Sequence, residues 1–333
     1  MEDVLDRVLP RIGGSETLDR LAALSGSDFT SVMLELARRR AARETPASVL
    51  RRYERDRFVR PGQTSALALR RVEDALLGGL PEDVEVVLLA PLIPLGAHSA
   101  LGPVSQDKVV STIRASEVAA DPTNALALEA AARRARARDT AARLAHVRLA
   151  AVQRVVRAQQ LPDAPGFFAH FGLFAMVTAG RDTGSLEFER SALAGQLRIA
   201  IRGVARAMVA GEAVGMSEAG GAMRSGGAGE GIRAEVQIAL TPLSERGERI
   251  ATAVTAGLGA EGGAEIVTDR ERQAGRGYYR DLCFKVNVRA GGRPREIGDG
   301  GFTDWTARLT ANAKERLLIC GLSTDRLAGP QAG

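Results

Sequence analysis

Three arginines stand where strands of a sheet are expected to end. Arg157 follows the apolar pair Val155–Val156, Arg276 lies in the run RQAGRGYYRD (residues 272–281), and Arg326 stands near the end of ERLLICGLSTDRL (315–327). Arginine carries a permanent charge on a rigid fork whose N–H groups match phosphate oxygens. Three such forks brought to one place can grip a triphosphate and stabilise charge developing on its oxygens. Taken singly, each is an ordinary surface or ion-paired arginine, so the expectation depends on convergence.

Other chemistries fit less well. Residues 257–262 satisfy G-x-G-x-x-G. The dinucleotide fingerprint needs a strand before the glycines and a helix after them. Here a helix precedes and a strand follows, so the glycines read as a helix stop. No G-x-x-x-x-G-K-[ST] loop and no G-x-S-x-G elbow occurs. His98, His146 and His170 are too isolated to suggest a zinc site, and no metal ligands are expected. Asp182 and Glu187 have the character of charged turn residues. Cys283 and Cys320 sit in apolar runs and read as small buried hydrophobes of a reducing compartment.

The elements that must position these residues follow from pattern. With 333 residues the chain is one large domain or two, and 45% hydrophobic residues can bury a sizeable core. A net charge of +5 permits a polyanionic partner. The first ten residues are charged from position 2, unlike a secretory signal. No run approaches the roughly 18 apolar residues of a spanning helix. A cytoplasmic protein without membrane contact is expected.

Residues 1–60 read as helices, one capped by Ser27–Asp28 and another started by Pro46. The arginines crowded between 38 and 60 read as a solvated helix face in preference to an RNA site. Leu67, Val72, Leu76 and Leu77 recur at helical spacing over 65–79, and Gly78–Gly79 end that helix. Residues 84–96 read as a strand stopped by Pro91 and Pro94. Residues 108–131 read as two strands around a turn at Asp121–Asn124. Residues 166–180 read as a central strand and 185–211 as a long helix. A glycine-rich insertion, expected to be flexible, occupies about 212–232. Beyond it come a strand, a helix, two strands, a helix and the strand of Leu317–Cys320. Strands adjoining one another directly argue for an α+β fold with a mostly antiparallel sheet.

The order of these elements resembles the catalytic core of class II aminoacyl-tRNA synthetases, most closely the histidyl-tRNA synthetase group, over residues 61–328. The 65–79 helix and the strand ending at Pro91 are similar to the family's first motif. ALALEAA (125–131) falls where the family has Leu-Arg-Pro-Glu-Gly-Thr, with Leu126 and Glu129 matching. VVRAQQLPDAPGFFAHFGLF (155–174) resembles the second motif: Arg157 takes the arginine position, Phe168, Phe171 and Gly172 match, Gln159 replaces a glutamate, and His170 replaces a glutamine. GRGYYRDLCF resembles Arg-Gly-Leu-Asp-Tyr-Tyr through Gly275, Tyr278 and Tyr279. The family's arginine falls on Ala274, flanked by Arg272 and Arg276. LSTDRL resembles the third motif, with Arg326 in the arginine position.

The resemblance implies the following. Arg157 would hold the α-phosphate of ATP and Arg326 the γ-phosphate, with Mg²⁺ on the departing pyrophosphate. Arg276 is expected beside the reacting carboxylate, with Arg272 as the alternative, since one residue of register decides between them. Gln159 and Phe168 would complete the nucleotide site. Glu129, His170, Tyr278 and Tyr279 would hold an amino-acid-like substrate. The product would be an acyl-adenylate. A homodimer is implied, since the first motif forms the family's dimer interface. Only six residues follow Leu327, so no anticodon-binding domain and no ordinary tRNA charging are expected. The alternative is a catalytically silent subunit like the regulatory subunit of ATP phosphoribosyltransferase, with a protein partner.

Overall fold

The structure, a computed structural model, describes residues 2–137, 141, 144–159, 168–218, 235–259, 261–290 and 293–329. Four helices open the chain: α1 (Glu2–Val8), α2 (Ser15–Ala22), α3 (Gly26–Ala41) and α4 (Pro46–Arg55). α3 starts two residues before the expected cap, because Ser25 Oγ accepts from the Asp28 amide. Thr45 and Ser48 form a capping box on α4, whose first residue is Pro46, as expected.

The core is an eight-stranded sheet between helices. Its strands are β1 (Glu85–Val86), β4 (Val147–Val156), β5 (His170–Arg181), β6 (Glu235–Pro242), β7 (Glu265–Thr268), β8 (Arg280–Ala290), β9 (Arg293–Thr303) and β10 (Glu315–Ser323). Their order is β1-β4-β5-β10-β9-β8-β6-β7. The inner pairings are antiparallel, while β1–β4 and β6–β7 at the two edges are parallel, so the sheet is mixed. β2 (Leu92–Pro94) and β3 (Ser116–Val118) form a separate pair.

Strand alternation sends neighbouring side chains to opposite faces. Phe174 and Met176 of β5 join a core built with α5 (Ala66–Leu77), α8 (Glu187–Glu218) and α9 (Glu245–Leu258). Ala175, Val177 and Ala179 face the other way, onto Leu126, Ala127 and Ala130 of α7 (Pro122–Arg136) and onto Trp305. Burying a Leu or Phe completely is worth about 1.5–3 kcal/mol, and such residues line both faces. Three further short helices are described: α6 (Ala97–Leu101), α10 (Trp305–Leu309) and α11 (Thr324–Ala328).

Several sequence expectations change. Residues 84–96 do not make one strand: β1 spans two residues and pairs with β4, Leu88 is 99% exposed, and Leu92–Pro94 pairs with β3 instead. Asp121–Asn124 is not a turn between strands. Asp121 caps α7 by accepting from the Thr123 amide, and Pro122 takes the first helical position. Glu129 therefore lies on a helix. Leu67 is exposed, and Ala68, Val72 and Leu76 form the buried stripe of α5. α8 runs on through residue 218, and the rest of the glycine-rich insertion, 219–232, lies outside the described residues. β9 was hidden by its glycines. A Cβ at Gly298 would stand 2.1 Å from the Gly321 carbonyl oxygen, so β9 and β10 approach too closely for any side chain there.

Candidate active site

The residues that follow β4, the 272–279 loop, β8, β9, β10 and the N-terminus of α7 enclose a cavity of about 400 Å³. A second cavity, of about 290 Å³, adjoins it and shares Asp121, Arg157, Gln159, Glu296, Asp299 and Gly321. The two form one groove.

Asp121 and Arg157 stand at the junction. Arg157 leaves β4, donates through Nε to the Ala120 carbonyl at 3.0 Å and pairs with Asp121 Oδ2 at 3.4 Å. Its guanidinium lies over the Phe171 ring, 5.2 Å from the centroid. Asp121 Oδ1 accepts from the Thr123 amide and hydroxyl at 2.9 and 2.7 Å.

A buried pair fixes this corner from behind. Glu117 Oε1 accepts from the His98 amide at 2.9 Å and from His98 Nδ1 at 2.6 Å. Its Oε2 accepts from Gly96 and Gln106. The Ala120 amide donates to His98 Nε2 at 3.0 Å, so the ring proton sits on Nδ1. Burial works to raise the Glu117 pKa, but donors from His98, Gly96 and Gln106 outweigh it and hold the carboxyl below its ordinary range.

Arg272 forms the opposite wall. Its side chain is 3% exposed, and it donates to the Ala274 carbonyl at 2.8 Å and to Asp299 Oδ2 at 2.9 Å. Its Nη1 is buried without a hydrogen-bond partner among the described residues. Burial pushes the Asp299 carboxyl up, against the pull of Arg272. Tyr278 and Tyr279 stack edge to face at 4.9 Å beside Trp305. Burial, then the carboxylates of Asp121 and Asp299, push the Tyr278 phenol well up; burial and Asp299 do the same for Tyr279. Both stay neutral donors at ordinary pH.

Arg326 lines the second cavity with Phe168 and Phe171, and its Nη1 donates to the Glu296 carbonyl at 2.9 Å. Beside it, buried Asp325 accepts from Thr64 Oγ1 at 2.7 Å and from the Gly172 amide at 2.5 Å. That locks α11 to β5.

The groove thus gathers Arg157, Gln159, Phe168, Tyr278, Tyr279 and Arg326 of the residues expected from the sequence. It does not gather three others. Glu129 accepts from Arg133 Nε at 2.7 Å, on a turn of α7 away from the groove. His170 accepts from Arg154 at Nδ1 and donates from Nε2 to the Arg60 carbonyl, tying β5 to the N-terminal segment. Arg276 donates to the carbonyls of Arg272 and Arg270 within its own loop. Asp182 pairs with Arg316 and Glu187 with Arg190, both outside the groove. Asp121 and Asp299 were missed, and of the two arginines flanking Ala274 it is Arg272 that lines the groove. The Asp-Pro-Thr helix start at 121–123 was the available signal for Asp121.

Among the described residues, no group of three or more His, Cys, Asp or Glu side chains is arranged to hold a metal ion. No described helix is long and apolar enough to cross a membrane.

No family profile and no curated protein matches the sequence. Solved structures do. An ATP phosphoribosyltransferase regulatory subunit/histidyl-tRNA synthetase from Bacillus halodurans superposes with a TM-score of 0.55 at 13% identity, over 82% of this chain and 83% of that one. Apo histidyl-tRNA synthetase of S. aureus gives 0.52 at 12%, over 80% and 68%. The RNA binding domain of threonyl-tRNA synthetase from Cryptosporidium parvum gives 0.55 at 8%, over 80% and 64%. The fold of this chain is that of a class II aminoacyl-tRNA synthetase-like core.

Proposed function

We propose that the groove binds an amino-acid-like carboxylate and ATP and joins them as an acyl-adenylate. The observation that carries this reading is the buried, unpartnered Nη1 of Arg272 in the wall of a cavity that opens directly onto a second one lined by Arg157 and Arg326. A buried donor left unsatisfied costs about 1–3 kcal/mol, which an anionic ligand would recover.

Asp121, with the Tyr278 phenol nearby, takes the substrate's ammonium, the role first expected of Glu129. Arg272 takes the carboxylate, the role first expected of Arg276. A carboxylate oxygen attacks the α-phosphorus, the bond to the β-phosphate oxygen breaks, and pyrophosphate leaves. Arg157 stabilises charge on the α-phosphate and Arg326 on the leaving group. Gln159 and Phe168 border the nucleotide. Mg²⁺ would come with ATP as part of the substrate and would supply charge neutralisation for the departing pyrophosphate.

A second reading has one observation in its favour. Arg157 is engaged by Ala120 and Asp121, an arrangement that suits a pocket sensing an amino acid without phosphate chemistry. It corresponds to the regulatory reading, with a protein partner. In both, exposed Val86, Leu88, Leu92 and Leu95 at the β1 edge supply the apolar surface for a homodimer.

Amino-acid-dependent exchange between ATP and labelled pyrophosphate separates the two. Exchange that requires one amino acid and is lost in Arg157→Ala supports activation. Amino-acid binding by calorimetry without exchange supports the sensor.

A further inference from the structure

A larger cavity lies elsewhere, a bowl of about 720 Å³ between α4 and the end of β4. On α4 it is lined by Ser48, Arg51, Arg52 and Arg55, which share one helix face at the spacing i, i+3, i+4, i+7. Arg57, Phe58 and Gln159 close the other side. This orientation is the reverse of the usual one. A surface helix turns its apolar stripe inward. Here Val49, Leu50 and Tyr53 are exposed, and the arginines line the space between helix and core.

The acidic residues nearby do not account for the arginines. Residues 38–60 hold nine arginines against three acidic residues. Glu44 engages Arg52, and Arg57 donates to the Gln159 carbonyl at 3.0 Å. Arg51 and Arg55 have no ion-pair partner among the described residues. Their Cα atoms repeat about 6 Å apart along the helix.

We propose that this bowl binds the phosphodiester backbone of a single-stranded nucleic acid. A small-molecule site is enclosed and mostly apolar. This one is open, and four of its nine lining residues are arginines, which suits a ligand that repeats its charges along a chain. Phe58, held beneath the Arg57 guanidinium at 5.2 Å, offers an aromatic surface at its rim. Gln159 also lines the candidate active-site groove, so a bound strand lies beside it. The bowl's charge does not depend on what chemistry that groove performs.

The test uses the full chain and a short fluorescein-labelled single-stranded RNA, followed by anisotropy without ATP. Four phosphate contacts predict a log–log salt slope of about −2.8, hence about fiftyfold weaker binding between about 50 and 200 mM salt. Arg51→Gln/Arg55→Gln should halve the slope, leaving about a sevenfold loss over that range. Arg38→Gln/Arg39→Gln removes equal charge from α3, where both arginines pair with Glu35, and should leave the slope unchanged. Equal losses in the two double variants would overturn the assignment, since net charge alone would then explain binding. So would failure of the RNA to bind while inorganic tripolyphosphate does.

Discussion

Replacing His98 by alanine tests whether the corner holding Asp121 and Arg157 is built as described. His98 is 1% exposed and Glu117 0%. The substitution removes one donor from a buried carboxylate, worth about 1.5–3 kcal/mol, and strips the Ala120 amide of its acceptor, worth about 1–3 kcal/mol. The expected cost is about 3–5 kcal/mol, a large share of the roughly 5–15 kcal/mol that holds a domain folded. Urea unfolding followed by far-UV circular dichroism reads it. With an m value near 3 kcal/mol/M the midpoint should fall by about 1 M or more. His98→Gln, whose side-chain oxygen can accept from the Ala120 amide, should lose less.

The same variant carries a signed pH dependence. Glu117 has a folded pKa held below its unfolded value near 4.3, so its contribution is present above that pH. It is lost as pH falls through the folded pKa. Removing the ring donor moves the folded pKa upward, so His98→Ala should lose less stability than the parent between about pH 5 and 3. A cost below about 1 kcal/mol, or an acid limb as steep as the parent's, would refute the hydrogen-bond chain from Glu117 to Ala120.

Three further outcomes are expected. Arg272→Met should lower amino-acid-dependent exchange by about 10²–10³-fold, the usual loss for a donor aimed at developing charge, while Arg276→Gln leaves it unchanged. Leu88→Asp, at a 99% exposed position, should convert a dimer into monomers in sedimentation velocity without lowering the unfolding midpoint. Arg134→Met should cost about 3–5 kcal/mol in urea unfolding, because it strands buried Glu315, and Arg134→Met/Glu315→Leu should recover most of that.

Periodicity made the core legible. β5 and β10 are long apolar runs, and α5, α8 and α9 carry their stripes at helical spacing. Glycine and proline misled the reading where tertiary contacts assign their use. β9 carries Gly298, Gly300 and Gly301 because neighbouring backbone and rings leave no room for a Cβ, so a central strand has the composition of a loop. Asp121–Pro122 has the chemistry of both a turn and a helix start, and only the packing of Leu126 and Ala130 onto β5 decides between them. The groove was half legible. Residues at strand ends were found, since a strand's direction fixes where its end lies. Asp121, at a helix start, and Asp299, inside the glycine-rich β9, were not.

The loop at 271–279 shows why a register of motifs cannot locate a charge. Its turn folds back at Gly275, whose φ is +84°. A Cβ there would stand 3.2 Å from Arg272 Nη2 and 3.3 Å from the Tyr279 ring, so the backbone passes directly over both. The fold-back carries Arg272 into the wall where a linear alignment puts Ala274, and it turns Arg276 out onto carbonyls of its own loop. A fold constrains where a charge must stand, and a tight turn lets a residue two positions away supply it. The groove therefore keeps its charges even though the matching motif positions are altered. A pocket that senses only an amino acid needs Asp121, Arg272 and the tyrosines. Arg326, whose Nη1 donates to the Glu296 carbonyl at the far end of the second cavity, is the residue that the activation reading uses and the sensing reading does not.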